Sequence, residues 1–194
     1  DAIDALCDAW RRAGIDRGEV LAAERSTPQG PLRWRIAVRR DGQRLLDVGC
    51  GWGSMVRHAA REYGVKALGV TLSLQQAEWA KEAIDRDGLA DLAEVRHLDY
   101  RDVMESGFDA VSSIGLTEHI GVANYPAYFA FLRERLRPGG RLLNHCITRP
   151  DNIHVPRVKR GFIDRYIFPD GELTGSGKII TEMQNRGLEV RHEE

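Results

Sequence analysis

A short apolar strand pattern, Leu45-Leu46-Asp47-Val48, runs directly into Gly49-Cys50-Gly51-Trp52-Gly53, and a helical pattern opens at Ser54. Three glycines at alternate positions between a strand and a helix are the strongest local signal in the chain. Glycine lets the backbone turn sharply and approach a ligand at distances where a side chain would collide. Standing alone, the loop could be only a tight structural turn. Its position between strand and helix argues for a ligand loop.

The rest of the chain repeats this alternation. Lys66 to Thr71 reads as a second strand, and Ser73 to about Arg86 as a helix that Ser73 can cap. Ala93 to Leu98 and Phe108 to Ile114 read as strands three and four. Tyr125 to Leu136 reads as a helix ended by Pro138-Gly139-Gly140, and Arg141 to Ile147 as a fifth strand. Residues 148–175 form a long irregular insert, followed by a helix over about 177–186 and a last strand from Leu188 to about His192. Such βαβ alternation specifies an α/β fold, with a parallel sheet and helices on both faces. Right-handed crossovers then put the C-terminal strand ends, and the ligand crevice, along one edge.

Two segments precede this domain. Ile3, Leu6, Cys7 and Trp10 recur like one helical face within residues 1–24. Thr27-Pro28-Gln29-Gly30-Pro31 breaks regular structure, and Arg33, Arg35, Arg39 and Arg40 make the next stretch basic. Residues 25–43 therefore read as a linker or mobile cover. The expected division is an N-terminal helical or linker segment, 1–43, and a ligand-binding domain, 44–194.

Charge narrows the partners. Twenty-eight Lys and Arg balance 29 Asp and Glu for a net charge of −1, which disfavours a dedicated nucleic-acid binder. The sequence has no unbroken apolar window of the roughly 18 residues that suggest a transmembrane helix. Asp1-Ala2-Ile3-Asp4 lacks the basic start of a signal peptide. Cys7, Cys50 and Cys146 are scattered without C-x-x-C spacing, which favours reduced thiols in a cytoplasmic protein and gives no metal-ligand pattern.

The glycine spacing also constrains the ligand. A dinucleotide loop would place its third glycine at position 54, where Ser54 stands, and an acid at the end of the second strand, where Thr71 stands. The acid instead precedes the first glycine, at Asp47. An acid followed by G-x-G-x-G resembles the first motif of class I methyltransferases that use S-adenosylmethionine, whose glycines pass close to the methionine part of the cofactor. A nicotinamide oxidoreductase ranks second. Asp99, in Leu98-Asp99-Tyr100, resembles the residue that faces adenine in that fold, although an Asp there commonly just caps the next turn.

Several further stretches resemble the cyclopropane fatty acid synthase family, including its mycolic acid cyclopropane synthase branch. They are Gly69-Val70-Thr71-Leu72-Ser73, Asp99-Tyr100-Arg101-Asp102, Glu118-His119-Ile120-Gly121 with Tyr125, and the run Phe162-Ile163-Asp164-Arg165-Tyr166-Ile167-Phe168-Pro169. With the glycine loop, the likeness covers residues 44–194. It implies a class I methyltransferase Rossmann-like sheet and methyl transfer from S-adenosylmethionine to the cis double bond of a phospholipid-bound acyl chain. The product would be a cyclopropane or, if the proton leaves an adjacent carbon, a methylene or methyl branch.

The resemblance also implies site residues. Gly49, Gly51 and Gly53, with Asp47, would form the cofactor loop. Thr71, Leu72 and Gln76 match positions around the ribose, and Asp99, Tyr100 and Ile114 match positions around the adenine and cofactor. Glu118, His145 and the backbone of Ile147 match the groups that hold a catalytic bicarbonate in the family. The plain readings are a solvated loop acid for Glu118, a packed strand histidine for His145, and ordinary strand core for Ile114. His119 could be structural, and Trp52 could simply cover the helix start.

The chain departs from the family in three places. Cys7 does not match the family's N-terminal cysteine motif. The sequence stops at Glu194, before the C-terminal tyrosine of the anion site and the antiparallel seventh strand, so the chain is expected to be incomplete. Thr117 replaces an aromatic residue common before the Glu-His pair. A phospholipid substrate would require transient contact with the inner membrane surface. Arg149, Arg157, Lys159 and Arg160, ahead of Phe162, Tyr166 and Phe168, could serve that contact or form a solvated basic loop. Two other functions stay open: a class I methyltransferase for a small soluble acceptor, and a protein that binds S-adenosylmethionine without chemistry. The oligomeric state stays open too.

Overall fold

The computed structural model describes residues 21–27, 30–36, 42–152 and 172–193, with side chains described from residue 42 onward. Strands β1 (Leu21–Thr27) and β2 (Gly30–Ile36) form an antiparallel pair. Within the stretch 25–43, read as a linker or cover, the described residues 25–27 and 30–36 are strand instead. Leu32, Trp34 and Ile36 alternate with Arg33 and Arg35, a period of two that belongs to a strand. The proposed helical face at Ile3 to Trp10 lies outside the described residues.

A five-stranded sheet follows. Its strands are β3 (Arg44–Val48), β4 (Lys66–Thr71), β5 (Ala93–His97), β6 (Phe108–Ile114) and β7 (Leu136–His145), in the order β5-β4-β3-β6-β7. β3 pairs parallel with β4, and β4 with β5, in register from Arg44↔Lys66 and Ala67↔Ala93. The strand order reverses at β3. That reversal makes the C-terminal end of β3 a switch point, where open α/β sheets bind ligands.

Helix α1 (Ser54–Tyr63) connects β3 to β4, and α2 (Leu74–Arg86) connects β4 to β5. Helix α1 buries Met55, Val56, Ala59 and Ala60 and stops at Gly64, whose left-handed φ of +65° lets its N–H return to the Ala60 carbonyl. Ser73 caps α2 as the sequence predicts, its Oγ accepting from the Gln76 N–H. Ala77, Ala80 and Ala83 recur at three-residue spacing and are fully buried, so α2 can lie close on the sheet without large side chains intervening.

The chain divides into two compact units, Asp1–Ser112 with Leu136–Leu143, and Ser113–Arg135 with Asn144–Glu194. The first unit's core centres on Leu45, Leu46, Val48, Val56, Val65 and Val111. The second contains α3 (Thr117–Ile120), α4 (Tyr125–Arg135) and α5 (Ser176–Asn185), and its core holds Tyr125, Tyr128, Phe129 and Leu132. The Tyr128 hydroxyl and the Ser113 hydroxyl share a hydrogen bond inside it.

Two strand boundaries differ from expectation. β7 starts at Leu136, before the Pro138-Gly139-Gly140 run, and ends at His145, so Ile147 lies beyond the strand and is exposed. Gly139 takes a φ of +75° within this strand. Residues Leu188 to His192 are irregular rather than a last strand. Leu188 and Val190 alone supply too little apolar alternation, and among the described residues no strand pairs with them.

Candidate active site

The first unit gathers nine of the expected residues at the C-terminal ends of three adjacent strands. The glycine loop leaves β3 with Gly49, Gly51 and Gly53 at φ values of +74°, +53° and +72°. A side chain in this left-handed region is strained, so these positions favour glycine on backbone grounds alone. The loop is fastened at its start, where the N–H groups of Gly49 and Cys50 both donate to the Val70 carbonyl, at 3.0 and 2.9 Å.

The three glycines differ in what surrounds them. A Cβ on Gly53 would sit 2.9 Å from Ala80 Cβ on α2, so this glycine serves helix–loop packing. A Cβ on Gly51 would meet nothing within 4 Å. Gly51 thus presents bare backbone to open space, the arrangement a close-lying ligand needs. Gly69 on β4 supports the loop from below, since a Cβ there would come within 2.7 Å of Val56 and 2.8 Å of Cys50.

Asp47 lies beneath the loop, only 3 % exposed, and accepts a hydrogen bond from Ser112 Oγ at 2.6 Å. Burial pushes its carboxyl up to about 6, against the opposing effect of the Ser112 bond. This geometry makes Asp47 a brace between β3 and β6. Beside the loop, Trp52 is half exposed and meets Trp79 edge to face at 5.7 Å.

At the end of β4, Thr71 is buried and donates from Oγ1 to Gln76 Oε1 at 2.8 Å, while accepting from the Ser73 N–H at 3.2 Å. That pair holds Gln76 on the first turn of α2. Leu72 is exposed, and its carbonyl lies 3.1 Å from His97 Nε2. After β5, Asp99 caps the short turn Tyr100–Asp102 through the Arg101 N–H at 2.9 Å. Its two oxygens also engage the Arg101 guanidinium, at 2.9 and 2.5 Å. The Arg101 bond holds its carboxyl below the usual range. The capping alternative for Asp99 is therefore what the geometry displays. Tyr100 is half-buried, and burial pushes its phenol upward, keeping it protonated.

The second unit holds Glu118, His145, Ile147 and Ile114. Glu118 sits on α3, one turn after β6, with 4 % exposure. Its Oε2 is buried with no hydrogen-bond partner among the described residues. Burying a carboxylate oxygen without a donor is costly, so this oxygen is suited to a ligand that brings an O–H or N–H. Oε1 lies 3.9 Å from where a Gly115 Cβ would stand, and the Gly115 N–H donates to the His145 carbonyl at 2.9 Å. His145 thereby belongs to the same cluster. Burial pushes its imidazole below its ordinary value, while the nearby Glu118 charge opposes that shift. A neutral imidazole next to a carboxylate can accept a proton.

Three more groups complete this cluster. Thr117, fully buried, donates from Oγ1 to Asn144 Oδ1 at 2.7 Å. Cys146 follows His145, and burial pushes its thiol up to about 11. Tyr125 is buried, its phenol raised by burial and then by the charges of Cys146, Glu172 and Glu118. Sequence reasoning singled out neither Ser112 nor Glu172. The Ser112-Ser113 pair inside an apolar strand was a usable signal, because buried hydroxyls need partners. Glu172 gave no local signal. The Phe162 to Pro169 motif and the basic residues Arg157, Lys159 and Arg160 lie outside the described residues. No metal-binding group of His, Cys, Asp or Glu occurs among the described residues, and no helix there is long and apolar enough to cross a membrane.

A sheet with helices between its strands, a glycine loop at the switch point and polar groups at the neighbouring strand ends define a class I methyltransferase fold. A sequence profile of the mycolic acid cyclopropane synthetase family matches residues 34–194, and the chain belongs to that family. A probable fatty acid methyltransferase of Mycobacterium tuberculosis is 68 % identical over 153 residues, covering 79 % of this chain and 35 % of the relative. The cyclopropane-fatty-acyl-phospholipid synthase of Escherichia coli K12 is 37 % identical over 141 residues, covering 72 % of this chain and 35 % of that protein. The chain thus spans about a third of the length of these relatives. The mycolic acid cyclopropane synthase CmaA1, complexed with SAH and CTAB, superposes with a TM-score of 0.68 at 29 % identity, over 79 % of this chain and 57 % of that one. The cyclopropane synthase MmaA2 from M. tuberculosis superposes with a TM-score of 0.69 at 28 % identity over the same shares.

Proposed function

We propose that this chain is the methyl-transfer portion of an S-adenosylmethionine-dependent C-methyltransferase that acts on the cis double bond of a phospholipid-bound unsaturated acyl chain. The observation that carries the reading is the Glu118 carboxylate, buried with one oxygen lacking a donor and acting electrostatically on a neutral-leaning His145. An amine or hydroxyl acceptor carries its own basic electron pair. An alkene offers only its π electrons: once methylated it becomes a carbocation that water would quench, so its enzyme needs a proton acceptor kept from bulk water.

The first unit fits the cofactor. Gly51 offers bare backbone, Thr71 fixes Gln76 where a ribose hydroxyl could bond, and the exposed Leu72 gives an apolar surface for a base. When bound, S-adenosylmethionine supplies an electrophilic methyl group on its sulfonium. The glycine loop and Gln76 bind and orient it, which is where much of the rate would arise. Asp47 keeps the loop's root fixed through Ser112.

The second unit fits a small protonated anion such as hydrogencarbonate, because Glu118 Oε2 needs a donor. Such an anion, when bound, supplies a proton acceptor. Glu118 would take up its hydrogen bond at Oε2, and His145 would hold a proton at its imidazole. The Ile147 backbone, placed just after β7, is a third candidate contact.

Methyl transfer from labelled S-adenosylmethionine to vesicles carrying cis-unsaturated phospholipids tests the proposal, with fully saturated vesicles as the control. The expected product gains one CH2 as a cyclopropane, or the same mass as a methylene branch. Glu118→Gln is expected to lower turnover at least about 100-fold, the lower end for loss of a general base, with cofactor affinity within about twofold of wild type. Equal transfer to saturated lipids, or equal loss of turnover and affinity, would count against the reading.

A further inference from the structure

An acidic residue outside every motif discussed above grips the Glu118 turn at both ends. The N–H of Glu172 donates to the Glu118 carbonyl at 2.9 Å, and Glu172 Oε2 accepts from the Val122 N–H at 3.0 Å. Glu118 lies within α3, a helix of one turn, and Gly121, at a φ of +81°, separates that helix from Val122. One turn of helix has almost no internal ladder to hold it. The side chain of Glu118 offers no anchor at Oε2 either, since that oxygen has no partner among the described residues. The direction of its carboxylate therefore depends on where its backbone is held.

We propose that Glu172 is a positioning residue for Glu118: its two hydrogen bonds fix the Glu118–Val122 turn so that the buried carboxylate keeps the orientation proton transfer requires. This rests on the reading of Glu118 as part of the proton-accepting site. The Glu172 charge also acts on the buried Tyr125 phenol, which places its carboxylate within the same cluster.

Loss of this grip acts on the chemical step and leaves cofactor binding unaffected, because the glycine loop and Gln76 belong to the other unit. In the full chain, Glu172→Ala is expected to lower kcat at least about tenfold with the S-adenosylmethionine dissociation constant unchanged within about twofold. Glu172→Gln keeps an oxygen that can accept from Val122 N–H and is expected to restore at least about half of wild-type kcat. Val122→Pro removes the donor while leaving Glu172 in place, at the first position of a short helical turn where proline is tolerated. It is expected to reproduce the alanine loss, and it decides the matter if Glu172→Ala does not fold. Wild-type kcat in the alanine variant, or in the proline variant where alanine does not fold, overturns the proposal. So does a glutamine variant as impaired as alanine. Glu118→Gln run in parallel separates the two readings. If Glu118→Gln keeps full turnover, the proton-acceptor reading fails; if it abolishes turnover while the Glu172 and Val122 variants do not, only the positioning role fails.

Discussion

Ser112 Oγ donates to Asp47 Oδ1 at 2.6 Å, joining the middle of β6 to the end of β3 beneath the glycine loop. Burial raises the Asp47 carboxyl from 3.8 to about 6, so the folded protein holds its proton to higher pH than the unfolded chain does. For an acid raised in this way, its contribution to stability is greatest below its unfolded value and falls as pH climbs from about 4 to about 6.

Asp47→Asn, which cannot titrate, isolates that contribution. The stability of wild type minus that of the variant is expected to become less favourable by up to roughly 3 kcal/mol between pH 3.5 and 7, the size implied by a shift from 3.8 to about 6. Urea unfolding of both proteins across that range measures it. A difference that stays flat with pH would mean that Asp47 ionises as a solvated acid does.

The roles of Gly51 and Gly53 in the glycine loop should separate on substitution. Gly53→Ala drives a Cβ to 2.9 Å from Ala80 at a positive φ, and the two effects together should cost about 2–4 kcal/mol of stability. Gly51→Ala meets open space and should cost about 1 kcal/mol from its backbone angle alone. Its main effect should be weaker S-adenosylmethionine binding, read by calorimetry. Similar stability losses in both variants would remove the distinction.

His145 is expected to titrate below 6.5, since burial is the larger influence on it, and the opposing Glu118 charge sets a second expectation. Removing that charge in Glu118→Gln should move the imidazole midpoint lower still, followed by nuclear magnetic resonance of the ring protons. Burial disfavours charged His145, so the contribution of the neutral imidazole to stability is full above 6.5 and is lost as pH falls through the lowered midpoint. An upward move in the variant would show that the two groups do not sense one another.

Cys146 should resist alkylation in the folded protein. With its thiol pushed up to about 11, the thiolate fraction at pH 8 is roughly two orders of magnitude below that of a free cysteine. Glu118 contributes to that shift, so Glu118→Gln should accelerate labelling, scored by peptide mass spectrometry. Labelling of native Cys146 at the rate of the unfolded chain would contradict this environment.

The elements that sequence reasoning places well are those whose signal is local. The loop from Asp47 to Gly53, the Ser73 cap and the strand at Phe108 to Ile114 each announce themselves through glycine spacing, a capping side chain or an apolar run. The hairpin at residues 21–36 escaped because its arginines dominated the impression of a linker, although Leu32, Trp34 and Ile36 carried a strand period. The Leu188 to His192 strand failed for a different reason. A strand is defined by its neighbour, and two alternating apolar residues cannot supply one. Among the site residues, Asp99 had two chemically sensible uses, and only the structure shows both its oxygens turned to Arg101. Glu172 is 54 residues from Glu118 in sequence, and no spacing rule links them.

Gly69 gives the loop above it an uneven capacity for change. Cys50 rests against β4 where even a methyl group would intrude, whereas Trp52, two residues on, is half exposed. Natural variation in this stretch should therefore collect at position 52 and spare position 50. A laboratory library aimed at new cofactor analogues would find room to explore at the tryptophan and almost none at the thiol.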